Sequence, residues 1–287
     1  MRVAYSLHLV CRDRLSLNGA LMQRLRNDFQ EMIREQFEFR ELLIQMTARD
    51  LLLRYKQTAM GLGWALLSPT LNTIIFSVIF MRVAPVDTRV PYPLFAYCGL
   101  LAWNFTASAL RFAVTSLTAN TNMVTKVYFP REIFPFSAVA VSLVDFAVAA
   151  TVLAAMMMYY HVAPTATVLL LPAVVAVHAT LTLALALMLS MANLFYRDVK
   201  YIFELVLNVW MFASAIVYPV DAIGGVAGMV IRANPMTAVV EAYRHVLLYG
   251  TPPDPLSFGS AAILSVVLLP TTWVVFHRSE FRFAENI

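Results

Sequence analysis

Arg111 and Asp145 stand well inside long apolar runs of this 287-residue sequence, where a charge is costly and normally faces other protein. Arg111 lies eight residues before the end of the run 94–119, and Asp145 eight residues after the start of the run 137–160. At about 1.5 Å per helical residue both side chains sit roughly 12 Å deep, which predicts an ion pair between adjacent helices. Such a pair reads either as structural glue or as part of a substrate or gating path. Little else in the sequence carries chemistry. It contains no GxxxxGK[ST] phosphate loop, no HExxH and no GxSxG, and its five histidines have no ligand spacing. No DxD-like carboxylate pair is present to hold a metal and a nucleotide sugar. The expectation is a chain with no catalytic residue, no metal site and no capacity to hydrolyse ATP.

The elements that position these charges are membrane elements. Apolar residues make up 60% of the sequence and charged residues only 13%, the balance of an integral membrane protein. Six runs are long enough to cross a hydrocarbon core of about 30 Å: 64–83, 94–119, 137–160, 168–192, 201–220 and 256–276. Six spans bring both ends to one side. The segment through Lys56 holds ten Lys and Arg, and Lys126 with Arg131, Arg197 with Lys200, and Arg278 with Arg282 would lie on that same side. Only Arg82, Arg89, Arg111, Arg232 and Arg244 remain, an asymmetry that predicts cytosolic termini. The net charge of +4 is thereby read as a topology signal, and no nucleic-acid partner is expected. Cys11 and Cys98 fall on segments of different character, so no disulfide is implied.

Residues 1–28 read as a polar cytosolic leader, too charged for a signal peptide. From Phe29 the pattern changes, with Phe29, Met32, Ile33 and Phe37 at helical spacing against a charged face. This amphipathic segment, within 29–60, either lies in the headgroup plane or packs on a partner. Asp50 and Arg54 form an i, i+4 pair, and Arg49, Arg54 and Lys56 crowd the approach to the first span. They serve as topology determinants or as a site for an anionic lipid headgroup.

Residues 221–255 are too apolar for an ordinary loop and are interrupted at Gly224, Gly225, Gly228 and Asn234-Pro235. Two half-inserted helices at the mouth of a conduit fit this pattern, as does an external amphipathic hairpin. Trp64 and Trp273 fall near membrane interfaces, where Trp anchors are common. Phe76, Phe80, Trp103, Phe105, Trp210 and Phe212 lie within spans, either as core and lipid-facing residues or as the lining of a path for a polymer. Two short inner loops, KVYFPREIFP at 126–135 and FYRDVK at 195–200, carry apolar and charged residues suited to a partner surface.

RDLLLRYKQTAMGLGWALLSP at 49–69, KVYFPREIFP at 126–135, NLFYRDVKYI at 193–202 and NPMTAVVEAYRHVLLYG at 234–250 occur in that order, followed by the closing FRFAENI. Together they resemble the permease subunits of ABC-2 type transporters that export polysaccharides. The match is closer to O-antigen and teichoic acid permeases than to group 2 capsule permeases, whose opening motif differs. The resemblance implies an all-α integral membrane protein of the bacterial inner membrane, with six transmembrane helices, an N-terminal amphipathic interface helix and a re-entrant helix pair between helices five and six. Residues 61–287 would form the transmembrane domain.

The resemblance further implies a homodimer joined by two ATPase subunits, which carry the ATP and Mg, and a lipid-linked polysaccharide substrate. Phe129, Pro130, Arg131 and Glu132, with Tyr196, Arg197 and Asp198, would dock onto the ATPase. Spans one and five would line the channel, making Phe76, Phe80, Trp210, Phe212 and Tyr218 its candidate aromatics. Arg49, Arg54 and Lys56 would attract the pyrophosphate of a polyprenyl carrier. The leader of about 28 residues is longer than the family core requires. Two other functions stay open at this point: a permease of the same superfamily for a drug or small lipid, and a non-ABC channel or scaffold.

Overall fold

Long apolar runs broken by Pro, Gly and short charged loops leave the backbone one way to satisfy itself in lipid, which is to close its hydrogen bonds within helices. The computed structural model describes residues 30–56, 58, 60–61, 63–83, 85–126, 129–280 and 283, and these are helical with no strands. The leader and Phe29 lie outside the described residues. Helical residues 30–38 turn at Phe39 into α1 (Arg40–Tyr55), followed by α2 (Gly63–Val78), which ends in a π-helical turn. Then come α3 (Tyr92–Ala119), α4 (Thr121–Lys126), α5 (Ile133–Tyr159), α6 (Leu171–Phe195) and α7 (Val199–Phe212). Two short helices, α8 (Gly225–Ala233) and α9 (Pro235–Arg244), precede the final α10 (Pro255–Ser279).

Four stretches are long and apolar enough to cross a membrane: Gly63–Val83, Ile133–Tyr159, Ala166–Phe195 and Pro255–Ser279. Helix α3 is long but more polar, carrying Asn104, Thr106 and Ser108, of which Thr106 bonds His178 and Ser108 lies 3.4 Å from Ser142. It is the hub of the bundle, packed on α5, α6 and α2. The small residues Ala96, Gly99, Ala102, Ala107, Ala109 and Ala113 are all buried on it and let neighbouring backbones approach closely. Pro93 lies in its first turn, where a missing N–H costs no helical bond. Across the α3–α6 contact Thr106 Oγ1 lies 2.6 Å from His178 Nε2, and His178 Nδ1 is 3.2 Å from the Tyr243 hydroxyl on α9. One buried polar chain thus ties three helices.

The amphipathic segment packs onto the bundle. Met32 and Met46 are buried, while Phe37, expected on the apolar face, is 68% exposed. Met46 joins Leu117, Phe134, Leu187 and Phe276 in a core at the end of the bundle that also holds the loops after α3 and α6.

The expected fifth span, 201–220, is cut short. Helix α7 ends at Phe212, and Ala213 through Pro219 run in turns, with Ala215 at φ +49°. An unwound stretch leaves carbonyls without helical partners, and here side chains supply them. Arg244 Nη1 donates to Ala215 O at 3.0 Å, and Arg244 Nη2 to Ile216 O. The Tyr92 hydroxyl donates to Val217 O at 2.7 Å, and Asn234 Nδ2 to Ala213 O at 2.9 Å. Asn234 also caps α9 by accepting from the Met236 N–H at 3.0 Å, which explains why the Asn-Pro pair divides the two short helices.

Candidate functional site

At the end of the bundle that carries α1, the two charged loops differ in exposure. Tyr196 is 73% exposed, and Arg197 and Asp198 are exposed beside it, at the turn between α6 and α7. Of the other loop, Phe129 and Pro130 are buried, Glu132 is only 1% exposed and Arg131 is half-buried. That loop was expected to present all four to a partner; instead its side chains turn inward onto the end of α10. Apolar Phe129 stacks edge-on against Phe134, with ring centres 5.5 Å apart, which removes its ring from solvent.

The inward loop is held by charges. Glu132 Oε1 accepts from Trp273 Nε1 at 3.3 Å and lies 3.2 Å from His277 Nδ1. The Arg131 N–H donates to Glu280 Oε1 at 2.8 Å, and its guanidinium to the Glu280 carbonyl. Trp273, expected only as an interface anchor, is therefore a polar partner of the loop. Glu132, His277 and Glu280 each offer a ligand atom within 4.8 Å of the others, the grouping of the described residues best suited to hold a cation. Glu132 Oε1, His277 Nδ1 and the Glu280 carboxylate face one another, Arg131 and Trp273, while Glu132 Oε2 is buried with no hydrogen-bond partner among the described residues, and the set works as a charge lock between the loop and the last helix.

Burial and the neighbouring Glu132 carboxylate push the Glu280 carboxyl up from 4.5 to about 7, against the pull of Arg131 and His277. The folded state therefore holds this proton more tightly than the unfolded chain does. Its contribution is fully present below about pH 4.5 and is lost as pH rises through about 7. Thermal unfolding of the purified protein is expected to show that decline, on the order of 2–3 kcal/mol over the window. The variant Glu280→Gln, with no proton to lose, should remove the decline below about pH 7 and leave the later one from His277, which its bond to Glu132 raises from 6.5 to about 8. A wild-type profile equally flat below about pH 7 would remove the carboxyl from the lock.

The charges at greater depth pair differently from the depth arithmetic. Arg111 and Asp145 both line one cavity of about 330 Å³, yet they do not bond to each other. Arg54, at the end of α1, forms an ion pair with Asp145, whose other oxygen accepts from the Tyr55 hydroxyl. Arg54 also lies over the Phe112 ring, 3.7 Å from its centre. Arg111 instead reaches Glu204 on α7 at 3.1 Å. Equal depth gave no information on azimuth, and α1 brings in a cation from outside the spans. Arg54 is thereby committed to protein, and Asp50 bonds Arg49 at 2.8 Å and accepts from Ser137 at 2.8 Å in place of the expected i, i+4 pair. Of the three cations before the first span, Lys56 is exposed and Arg49 is half-exposed, donating also to Asn120 at 3.2 Å.

The candidate aromatics do not form a single belt. Phe76 stacks on Phe80 with ring centres 6.3 Å apart, and Phe80 tilts against Tyr92 at 5.6 Å. Trp210 meets Trp103 edge-on at 5.5 Å, and its Nε1 donates to Asn234 at 3.2 Å. Phe212 is 53% exposed, and the Tyr218 hydroxyl donates to its carbonyl. The sequence pattern pointed to none of Arg244, Trp273 or His277. A lone Arg in an otherwise apolar helical segment is the one signal by which Arg244 was detectable.

Comparison with known proteins fits this architecture. Residues 41–248 match the family described as ABC-2 type transporter. The chain is 30% identical over 259 residues to the O-antigen export system permease protein RfbA of Myxococcus xanthus, covering 89% of this chain and 99% of that protein. It is 28% identical over 250 residues to the O-antigen export system permease protein RfbA of Klebsiella pneumoniae, covering 85% and 94% respectively. The family match runs from α1 through α9, including the exposed turn at Arg197 and the unwound stretch closed by Arg244, and the chain belongs to the ABC-2 type transporter family.

Proposed function

We propose that this chain is the membrane permease subunit of an ATP-driven exporter that moves a lipid-linked polysaccharide, O-antigen-like or teichoic-acid-like, out across the inner membrane. The observation that carries this reading is the likeness, over 85–89% of the chain, to O-antigen export permeases. The chain supplies no phosphate loop, so ATP and Mg belong to a separate ATPase, two copies of which serve a homodimer of this chain. Apolar residues left exposed on α2 and α7, among them Ile74, Ile75, Val78, Leu205 and Val209, suit contact with a second copy or with lipid.

In this reading six spans run from α2 to α10, both termini are cytosolic, and α8 and α9 form a re-entrant pair. Support comes from the unwound 213–219 backbone, which is tolerated at membrane depth only where protein satisfies it, as Arg244, Tyr92 and Asn234 do. The exposed Tyr196, Arg197 and Asp198 take the ATPase contact directly. Arg131 and Glu132 act behind it, carrying the movement of their loop to α10. The permease thus transmits force to the glycan path and performs no bond chemistry.

The test is translocation of lipid-linked glycan in proteoliposomes. Permease with its ATPase should export the glycan only with ATP, and Arg197→Ala with Asp198→Ala should lower coupled ATPase activity and export together by about tenfold, the equivalent of roughly 1.4 kcal/mol. Export by the permease alone, without nucleotide, would refute the coupled mechanism.

A further inference from the structure

At the end of the bundle away from α1 lies a cavity of about 630 Å³, well within the range of roughly 300–1,000 Å³ typical of small-ligand sites. Residues 85–89, residues 219–222, one face of α9 with the π-helical turn after it, and the start of α10 build it, with Phe95 of α3 and Arg232 of α8. The polar residues of the apolar segment 234–250 are not scattered. Thr237, Glu241, His245 and Tyr249 recur every fourth residue, and all four line the cavity. Arg244, one step off this stripe, reaches into the unwound backbone and also pairs with Glu241 at 2.7 Å.

The lining has a mixed chemistry. Arg89 lies over the Tyr249 ring at 5.4 Å, and the part-exposed Phe258 adds aromatic surface, while Phe95 closes the floor beneath Arg244. Asp87, Asp221, Glu241 and Asp254 contribute carboxylates and Arg89 and Arg232 cations, with Glu241 already paired to Arg244 at 2.7 Å. Arg232 is already paired with Asp221 at 2.8 Å. Asp87 and Asp254 then face Arg89 alone, and this remaining excess of one carboxylate disfavours an anionic ligand. A metal is disfavoured too, because among the described residues these carboxylates do not converge to ligand distance as Glu132, His277 and Glu280 do. The Thr237 hydroxyl, 3% exposed, has no hydrogen-bond partner among the described residues, a cost that a purely apolar occupant would leave unrelieved.

Aromatic faces, carboxylates able to accept from neighbouring hydroxyls, a guanidinium donor and an unpaired buried hydroxyl together match a neutral, hydroxyl-rich ligand. We propose that this cavity binds a short stretch of neutral saccharide and holds the glycan as it leaves the outer end of the path. The inference rests on the exporter reading and adds to it a site and a ligand class.

The test uses the full permease–ATPase complex in lipid nanodiscs. The probe is a fluorescein-labelled, delipidated short fragment of the glycan recovered from cells that carry the exporter, followed by fluorescence anisotropy. Export of the intact lipid-linked glycan by the wild-type complex is measured in parallel. Saturable binding is expected, weakened by about tenfold or more in Thr237→Val with Phe258→Ala, and weakened also by Asp87→Asn with Arg89→Ala at the opposite wall. Export by the wild type with no saturable binding, or with binding that both double variants leave unchanged, would overturn the outer site and leave the exporter standing. Absence of glycan export by the wild type would overturn the exporter reading and the site with it.

Discussion

Replacing Arg244 with methionine is expected to cost at least about 3 kcal/mol of stability and to leave little folded protein in the membrane. The side chain is 0% exposed and performs three tasks at once. It closes the carbonyls of Ala215 and Ile216, pairs with Glu241 Oε1 at 2.7 Å, and lies 3.6 Å from the centre of the Phe95 ring. Methionine fills much of the volume but donates nothing, so two buried carbonyls and one carboxylate lose their partner together. Each buried polar group left unmade costs about 1–3 kcal/mol. Lysine keeps the charge but presents a point donor where the guanidinium fork spans two carbonyls, so Arg244→Lys should fall between the wild type and methionine.

Gly99 offers an independent probe of the same joint. A Cβ there would sit 2.5 Å from Ile216 O and 2.7 Å from Arg244 Nη2, so either the unwound backbone or the guanidinium must move. Gly99→Ala is expected to cost about 1–3 kcal/mol although alanine is the better helix former. Unfolding of each variant in a graded detergent series measures both effects. Wild-type stability in Arg244→Met would mean that the turn backbone finds other partners.

The two probes also mark where sequence reasoning stops. Apolar run length locates the spans because the bilayer sets one dimension, and four of the six runs are helices long and apolar enough to cross. Ala213 to Val217 is as apolar as the helix before it, so nothing in composition announces that the helix ends at Phe212. The cause lies elsewhere in the chain, in Arg244, Tyr92 and Asn234, whose donors make an unwound backbone tolerable. The Asn234-Pro235 break was legible because proline and a capping side chain act locally. The loop at 129–132 was legible as unusually apolar, but its direction was not. Whether Phe129 faces a partner or Phe134 depends on the end of α10, far along the chain.

A second large effect is expected at Asp145. Charge reversal to Arg should destabilise the protein by about 2–3 kcal/mol, since it sets two guanidinium groups against each other at a site where Arg54 and Asp145 are each less than one-fifth exposed. Arg54→Glu should do the same by facing Asp145 with a second carboxylate. The double variant Arg54→Glu with Asp145→Arg restores opposite charges and should recover a large part of the loss, because coupling between contacting residues is what a double-mutant cycle isolates. Arg111→Glu with Asp145→Arg should recover little, because Arg111 bonds Glu204 and that exchange leaves Arg54 facing a cation. Rescue through Arg111 and not through Arg54 would restore the pairing that depth alone predicts. Rescue through Arg54 would make α1 part of the buried charge network. A movement of that helix at the membrane surface would then reach the wall of the 330 Å³ cavity through one ion pair.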